Sequence, residues 1–255
     1  MARDRRRLDQ LLVERGLAES RSQAQALIVS GNVFSEERRL EKPGHMVAAD
    51  VPVSVRGPAH PWVSRGGIKL AHGLDHFAID PGGLICLDIG ASTGGFTHVL
   101  LTRGAARVYA VDVGHGQLAW TLRQDSRVRV LERMNARALG PEHVAEAVDL
   151  IVCDVSFISL EKALPAPLAL AAAQAWLVAL IKPQFEAGRS QVGKGGVVRD
   201  PAVRAVVCER LRAWLSARPD WTVLGLTESP ITGPEGNVEF LIAARKDSRQ
   251  SASPG

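Results

Sequence analysis

The chain has 255 residues, 46% hydrophobic and 23% charged, an ordinary globular composition with room for one full α/β domain and a small second module. Its net charge of +4 is spread evenly, which permits a polyanionic partner without locating a face for it. Three cysteines without metal-ligand spacing (Cys86, Cys153 and Cys208) exclude a disulfide framework and a thiolate metal site, and the charged start MARDRRRLDQ lacks the apolar core of a secretory signal, so a reduced, cytoplasmic protein is expected.

Taken in order, the chain opens on Arg3, Arg5, Arg6 and Arg7, expected to be a frayed end suited to phosphate contacts. Leu8, Leu11 and Leu12 then give an amphipathic helix that stops at Gly16. Ser20 and Gln23 have the spacing of a capping box and open a second helix, which buries Ala24, Leu27 and Ile28 and ends at Gly31. Short strands are expected at 32–34 and 51–55. Residues 6–57 therefore form a small α+β domain whose core leans on packing or on a partner. A proline-stiffened linker follows at 58–63.

Residues 64–246 read as a second domain and 247–255 as a disordered tail. Strands near 84–88, 107–112, 127–131, 148–153, 175–181, 221–227 and 237–244 alternate with helical patterns, which predicts a parallel, doubly wound α/β sheet of the Rossmann-like kind. The stretch LICLDIGASTGGFT (84–97) carries an apolar strand ending in Asp88, a turn of glycines and the start of a helix. The next strand closes on Asp112, 22 positions after Gly90 (112 − 90), where a carboxylate can accept both hydroxyls of a ribose. The stretch lacks the G-x-G-x-x-G spacing that a pyrophosphate needs, so it suits an adenosyl ligand without phosphates, S-adenosyl-L-methionine. Ala163 to Ile181 is uncharged and long enough to span a membrane, but Pro165, Pro167 and Gln174 divide it into a short helix and a buried strand.

Ligands of such sheets bind at the carboxyl ends of the strands. Asp154 and Lys182 each directly follow a buried strand and project onto that edge. Glu239 opens the final strand and reaches the same edge if that strand runs antiparallel, while Lys69 lies on a preceding helix that can cover the site. His98, His115 and His143 have no partner motif and are assigned no chemistry.

Two resemblances extend this reading. RRRLDQLLVERGLAESRSQAQALIVSGNVF resembles the RNA-binding module first described in small-subunit ribosomal protein S-four, which implies RNA contacts at Arg6, Arg7, Arg21, Ser22 and Gln23. VSRGGIKL, DIGASTGGFT, YAVDVGHGQL, CDVSFISL, IKPQFEAG and GPEGNVEFL resemble, in that order, the TlyA (haemolysin A) family of rRNA 2′-O-methyltransferases, whose catalytic half is FtsJ-type. That resemblance implies a catalytic tetrad at Lys69, Asp154, Lys182 and Glu239, with Lys182 as base, Lys69 as second cation and the two acids orienting them. It implies cofactor contacts at Gly90, Ala91, Ser92, Thr93, Gly94, Phe96, Asp112 and Asn135, and a further RNA contact at Arg65. The implied substrate is a cytidine ribose of rRNA in assembled ribosomal subunits, and the implied enzyme is a monomer without a metal or a membrane. Two residues depart from the pattern: His115 stands where an aromatic is expected, and Met134 where a small polar residue is expected. Rival readings are a membrane-active protein, as the family's older name suggests, an RNA-binding assembly factor with a silent catalytic half, and methylation of a protein or small molecule.

Overall fold

In the computed structural model, Arg5, Arg6 and Arg7 of the opening arginine run are paired, while Arg3 lies outside the described residues. Arg5–Arg7 form a strand (β1) antiparallel to Met46–Ala48 (β4), a pairing that no local pattern announces. The structure describes residues 4–29, 31–56, 60–233 and 235–247; residue 57 of the expected first domain, 58–59 of the expected linker and 248–255 of the expected tail lie outside them. The chain divides into two compact units, 1–61 and 62–255.

In the first unit, Leu8–Glu14 (α1) and Arg21–Val29 (α2) pack Leu8, Leu11, Leu12, Ala24 and Ile28 into a small core. Gly16 and Gly31 leave these helices at φ +68° and +75°, where a Cβ would be strained. Ser20 Oγ accepts the Gln23 amide at 3.2 Å, as the capping box requires. The reciprocal half is shifted by one residue, because the Gln23 side chain accepts the amide of Glu19 at 2.6 Å. Val33–Ser35 (β2) pairs antiparallel with Arg38–Arg39 (β3) and with Ser54–Val55 (β5), so the strand expected at 51–55 is shorter.

The second unit opens with the helix Gly66–His76 (α3) and is built on a seven-stranded sheet. In chain order its strands are Ile85–Ile89 (β6), Arg107–Val111 (β7), Val128–Leu131 (β8), Val148–Cys153 (β9), Ala171–Ile181 (β10), Trp221–Glu228 (β11) and Phe240–Lys246 (β12). The spatial order is β11-β12-β10-β9-β6-β7-β8, with β12 antiparallel to both neighbours and the other pairings parallel. Period-two alternation sends Leu87 and Ile89 into one apolar layer and Cys86 into the other, which is why the strand reads as one apolar run. The chain leaves β6 toward β7 and β8, then returns to the other side of β6 with β9 and β10. That reversal opens a crevice beyond the carboxyl ends of β6 and β9.

The expected strands are present with moved ends. β10 begins four residues early at Ala171, which pairs with Val148 before a register irregularity ahead of Trp176. β12 begins at Phe240 because buried Asn237 is taken up by the loop before α9 (Pro201–Ser216): its Oδ1 accepts the Val198 amide at 3.0 Å and its Nδ2 donates to the Gly196 carbonyl at 2.9 Å. The uncharged segment holds a short helix, Pro165–Ala169 (α7), and then β10. Among the described residues, no helix is long and apolar enough to cross a membrane.

Candidate active site

The turn after β6 is shaped by what surrounds it. Gly90 adopts φ +85°, and a Cβ there would sit 2.5 Å from the carbonyl oxygen of Asp154, so only glycine lets the turn lie against the end of β9. Ser92 adopts φ +48° without being glycine and is held there by its amide, which donates to Asp112 Oδ2 at 2.8 Å. The Gly114 amide donates to Asp112 Oδ1 at 2.7 Å. Two amides therefore fix the Asp112 carboxylate and leave lone pairs for a ligand. Gly94, at φ +99°, opens the helix Gly95–Thr102 (α4). Its missing side chain faces Leu118 and Leu122, so it turns the chain and lines neither of the cavities described below.

Asp88 does not end its strand. It lies within β6, sealed from solvent, where Oδ2 accepts the Thr97 hydroxyl at 2.7 Å and Oδ1 has no partner. Burial lifts its pKa to about 7; the Thr97 hydrogen bond opposes that rise, and the nearby Asp154 and Asp112 charges add to it. Burial also pushes the Cys86 and Cys153 thiols up, so both behave as unreactive core residues.

All four tetrad residues line one cavity of about 710 Å³. Lys69, on α3, donates to Glu239 Oε2 at 2.5 Å, and both side chains are at least nine-tenths buried. The antiparallel course of β12 is what brings Glu239, one residue before that strand, to the carboxyl edge. Across the cavity, Lys182 Nζ lies 2.5 Å from Asp154 Oδ1, outside hydrogen-bond alignment, and donates to Ser156 Oγ at 3.0 Å. Gly90, Ala91, Ser92, Thr93 and Phe96 line the same wall, as does Arg65, which donates to the Thr232 carbonyl at 3.1 Å.

A second cavity of about 410 Å³ adjoins the first and holds Asp112, Gln117, Met134 and Asn135. Asn135 Oδ1 accepts the Arg137 amide at 3.0 Å. Of the two departures from the family pattern, Met134 lines this wall, whereas His115 does not and stands 3.8 Å from Glu132. Gly90, Ser92, Asp154, Ser156 and Phe157 belong to both walls. Ser156 and Phe157 were missed in the sequence. Phe157 is 89% exposed at φ +65° and packs against Phe185, with ring centroids 4.8 Å apart and planes inclined at 50°. Its only signal is the place of CDVSFISL after a strand. Among the described residues, no His, Cys, Asp or Glu group has the arrangement a metal ion needs.

The arginines of the first unit are more engaged than their sequence suggests. Arg7 donates to both oxygens of Asp9 at 3.0 Å, and Arg21 Nε donates to Asp9 Oδ2 at 3.0 Å. Asp9 is fully buried, and these bonds, Arg7's foremost, hold its carboxyl well below the usual range. Arg6 pairs with Asp4 at 3.1 Å on the surface, and Ser22 is exposed on α2.

Comparison with known proteins matches residues 62–246 to the FtsJ-like methyltransferase family and residues 6–51 to the S4 domain. The chain belongs to the FtsJ-like methyltransferase family. Among relatives of this FtsJ-like protein, the 16S/23S rRNA (cytidine-2'-O)-methyltransferase TlyA of Mycobacterium tuberculosis is 50% identical over 256 residues, covering 99% of this chain and 94% of that one. Hemolysin A of Brachyspira hyodysenteriae is 41% identical over 238 residues, covering 92% of this chain and 98% of its own. A solved structure from Streptococcus thermophilus, described as a candidate hemolysin, superimposes with a TM-score of 0.74 at 42% identity, covering 96% of this chain and 90% of that one.

Proposed function

We propose that this protein transfers a methyl group from S-adenosyl-L-methionine to the ribose 2′-hydroxyl of a cytidine in rRNA, within assembled ribosomal subunits. The observation that carries the reading is the convergence of Lys69, Asp154, Lys182 and Glu239 on one cavity that shares a wall with the glycine turn. The family assignment and the cytidine-2'-O activity in the name of a relative 50% identical point the same way.

The second cavity, together with the glycine-turn wall of the first, fits the cofactor. Gly90 leaves a cradle that a Cβ would fill, and Asp112 is oriented by two amides with acceptor capacity to spare for the ribose hydroxyls. Gly90, Ala91, Ser92, Thr93, Phe96, Asp112 and Asn135 would hold the cofactor, which supplies a methyl group activated by its sulfonium. Gly94 contributes by turning the backbone.

A 2′-hydroxyl is a poor nucleophile near neutral pH, so the protein's task is alignment and removal of a proton. Lys182 is held by Asp154 and Ser156, both shared by the two walls, and as the free amine it takes the proton that the 2′-oxygen loses; the methyl carbon's bond to sulfur would break as its bond to that oxygen forms. Lys69, oriented by Glu239, supplies the second cation of the site. Phe157 and Phe185 offer a stacking surface at the cavity wall for the base that carries that ribose. Arg6, Arg7, Arg21, Ser22, Gln23 and Arg65 contact RNA, with Arg7 and Arg21 using what their bonds to Asp9 leave free: their side chains remain 39% and 52% exposed.

The test is incubation of purified, undermethylated ribosomal subunits with the protein and S-adenosylmethionine carrying a labelled methyl group, followed by nucleoside analysis. Label in 2′-O-methylcytidine is the expected result. Label on a base, on protein, or nowhere would overturn the reading.

A further inference from the structure

Glu186 takes no part in the chemistry above, yet its carboxylate is among the most firmly held in the second unit. It ends the short helix Pro183–Glu186 (α8), four residues after Lys182, and is nearly sealed from solvent. Three donors converge on it: the Leu160 amide at 2.8 Å on Oε1, and Ser159 Oγ at 2.8 Å with Arg210 Nη2 at 2.7 Å on Oε2. Ser159 is also the N-cap of Leu160–Ala163 (α6), accepting the Glu161 amide at 3.2 Å.

These bonds have a topological consequence. Ser159 and Leu160 end the segment that leaves Asp154, and Glu186 ends the segment that leaves Lys182. One carboxylate thus joins the two loops that carry Lys182 and Asp154, and Arg210 anchors the junction to α9. Between the joined ends lie Ser156, whose Oγ accepts a hydrogen bond from Lys182 Nζ, and Phe157, whose positive φ persists only where its surroundings enforce it. Burial disfavours the charged carboxylate and pushes its pKa up, so packing alone gives no reason for an acid here.

We propose that Glu186 is a positioning residue for methyl transfer: by tying the loop after Asp154 to the loop after Lys182, it sets how those two side chains, Ser156 and the Phe157–Phe185 pair face the substrate. The inference rests on the function proposed above. It places the effect of Glu186 on the chemical step. The cofactor turn is anchored elsewhere, through Asp112.

The test measures kcat, KM for ribosomal subunits, the Kd of S-adenosylmethionine and Tm for the full chain and for Glu186→Gln, Ser159→Ala and their combination. Glu186→Gln should lower kcat by about ten-fold or more, since small misplacements of reacting groups are costly, while KM and Kd stay within about two-fold. Ser159→Ala should act in the same direction more weakly, and adding it to Glu186→Gln should cost little further, because both remove one junction. A fall in kcat matched by equal losses of cofactor affinity and folded protein would make Glu186 merely structural. If Glu186→Gln does not fold, Ser159→Ala decides: an unchanged kcat overturns the proposal. A wild-type chain that transfers no methyl group to subunits would overturn the proposed function itself. A wild type that transfers while both variants keep its kcat overturns only the positioning role.

Discussion

Asp9 in the first unit and Asp154 in the second are both carboxylates set beside cations, and their surroundings differ in how completely each is satisfied. Asp9 has no exposure and accepts five donors at 3.0 Å: two from Arg7, one each from Arg21 and Gln25, and the Gln10 amide. Asp154 keeps 20% of its side chain exposed and faces both cavities, with Lys182 beside it. A saturated carboxylate has no capacity left for a substrate and serves the fold. One left open at a strand end, with a lysine held against it, has the capacity that the proposed chemistry needs. The small first unit buries few large apolar side chains, so it uses an ion-pair hub where the second unit uses two apolar layers.

The comparison breaks most visibly if Asp9 is dispensable. Asp9→Ala should destabilise the first unit by about 2–3 kcal/mol, the upper part of the range for deleting one partner of buried hydrogen bonds, because the half-exposed arginines left behind can rehydrate. Chemical denaturation should show that loss in the first unit, and filter binding should show weaker association with ribosomal subunits, with cofactor affinity unchanged.

A smaller effect is expected at Asp112, the ribose contact proposed above. Asp112→Ala should weaken S-adenosylmethionine binding by roughly 1–2 kcal/mol, about ten-fold, as read by calorimetric titration. Unchanged affinity would mean that the two amides on Asp112 serve the turn alone.

A pH dependence separates the two buried acids further. Asp9 has a depressed pKa, so its contribution to stability is present above the ordinary aspartate range and is lost as pH falls. Asp88 has the opposite sign. Its folded pKa of about 7 lies above the unfolded value of 3.8, so the native state binds the extra proton between them and stability falls as pH rises across that window. Asp88→Asn, which can still accept the Thr97 hydroxyl, should flatten the dependence of Tm on pH between about 4 and 7. A slope unchanged from wild type would contradict the assignment.

How much of this was legible in the sequence follows from the range of the interactions. β6, β7 and β9 were legible because each is a local, mostly apolar run, and Asp154 and Lys182 because they directly follow such runs. Glu239 needed the direction of its strand as well, which only a long return before it suggested. The pairing of β1 with β4 joins residues about forty positions apart, and the bonds of Asp9 to Arg21 and Gln25 likewise cross from one helix to another. The same arginines thus read as free phosphate ligands from local pattern alone. Asp88 read as the end of its strand because the apolar run stops there, and sequence does not tell which residue a strand turns inward. Glu186 was invisible for a related reason, since its partners Ser159 and Arg210 lie more than twenty residues away on either side.

In the function proposed above, the pair formed by Lys182 and Asp154 acts on the substrate and leaves the cofactor to the glycine turn. The most direct test measures, on one preparation of Lys182→Ala, both the Kd of S-adenosylmethionine and the rate of labelled methyl transfer to ribosomal subunits. Transfer should fall by at least about a hundred-fold, the lower bound for losing a general base, while the Kd stays within about two-fold of wild type. Transfer at the wild-type rate, or a loss of transfer explained by an equal loss of cofactor binding, would contradict it.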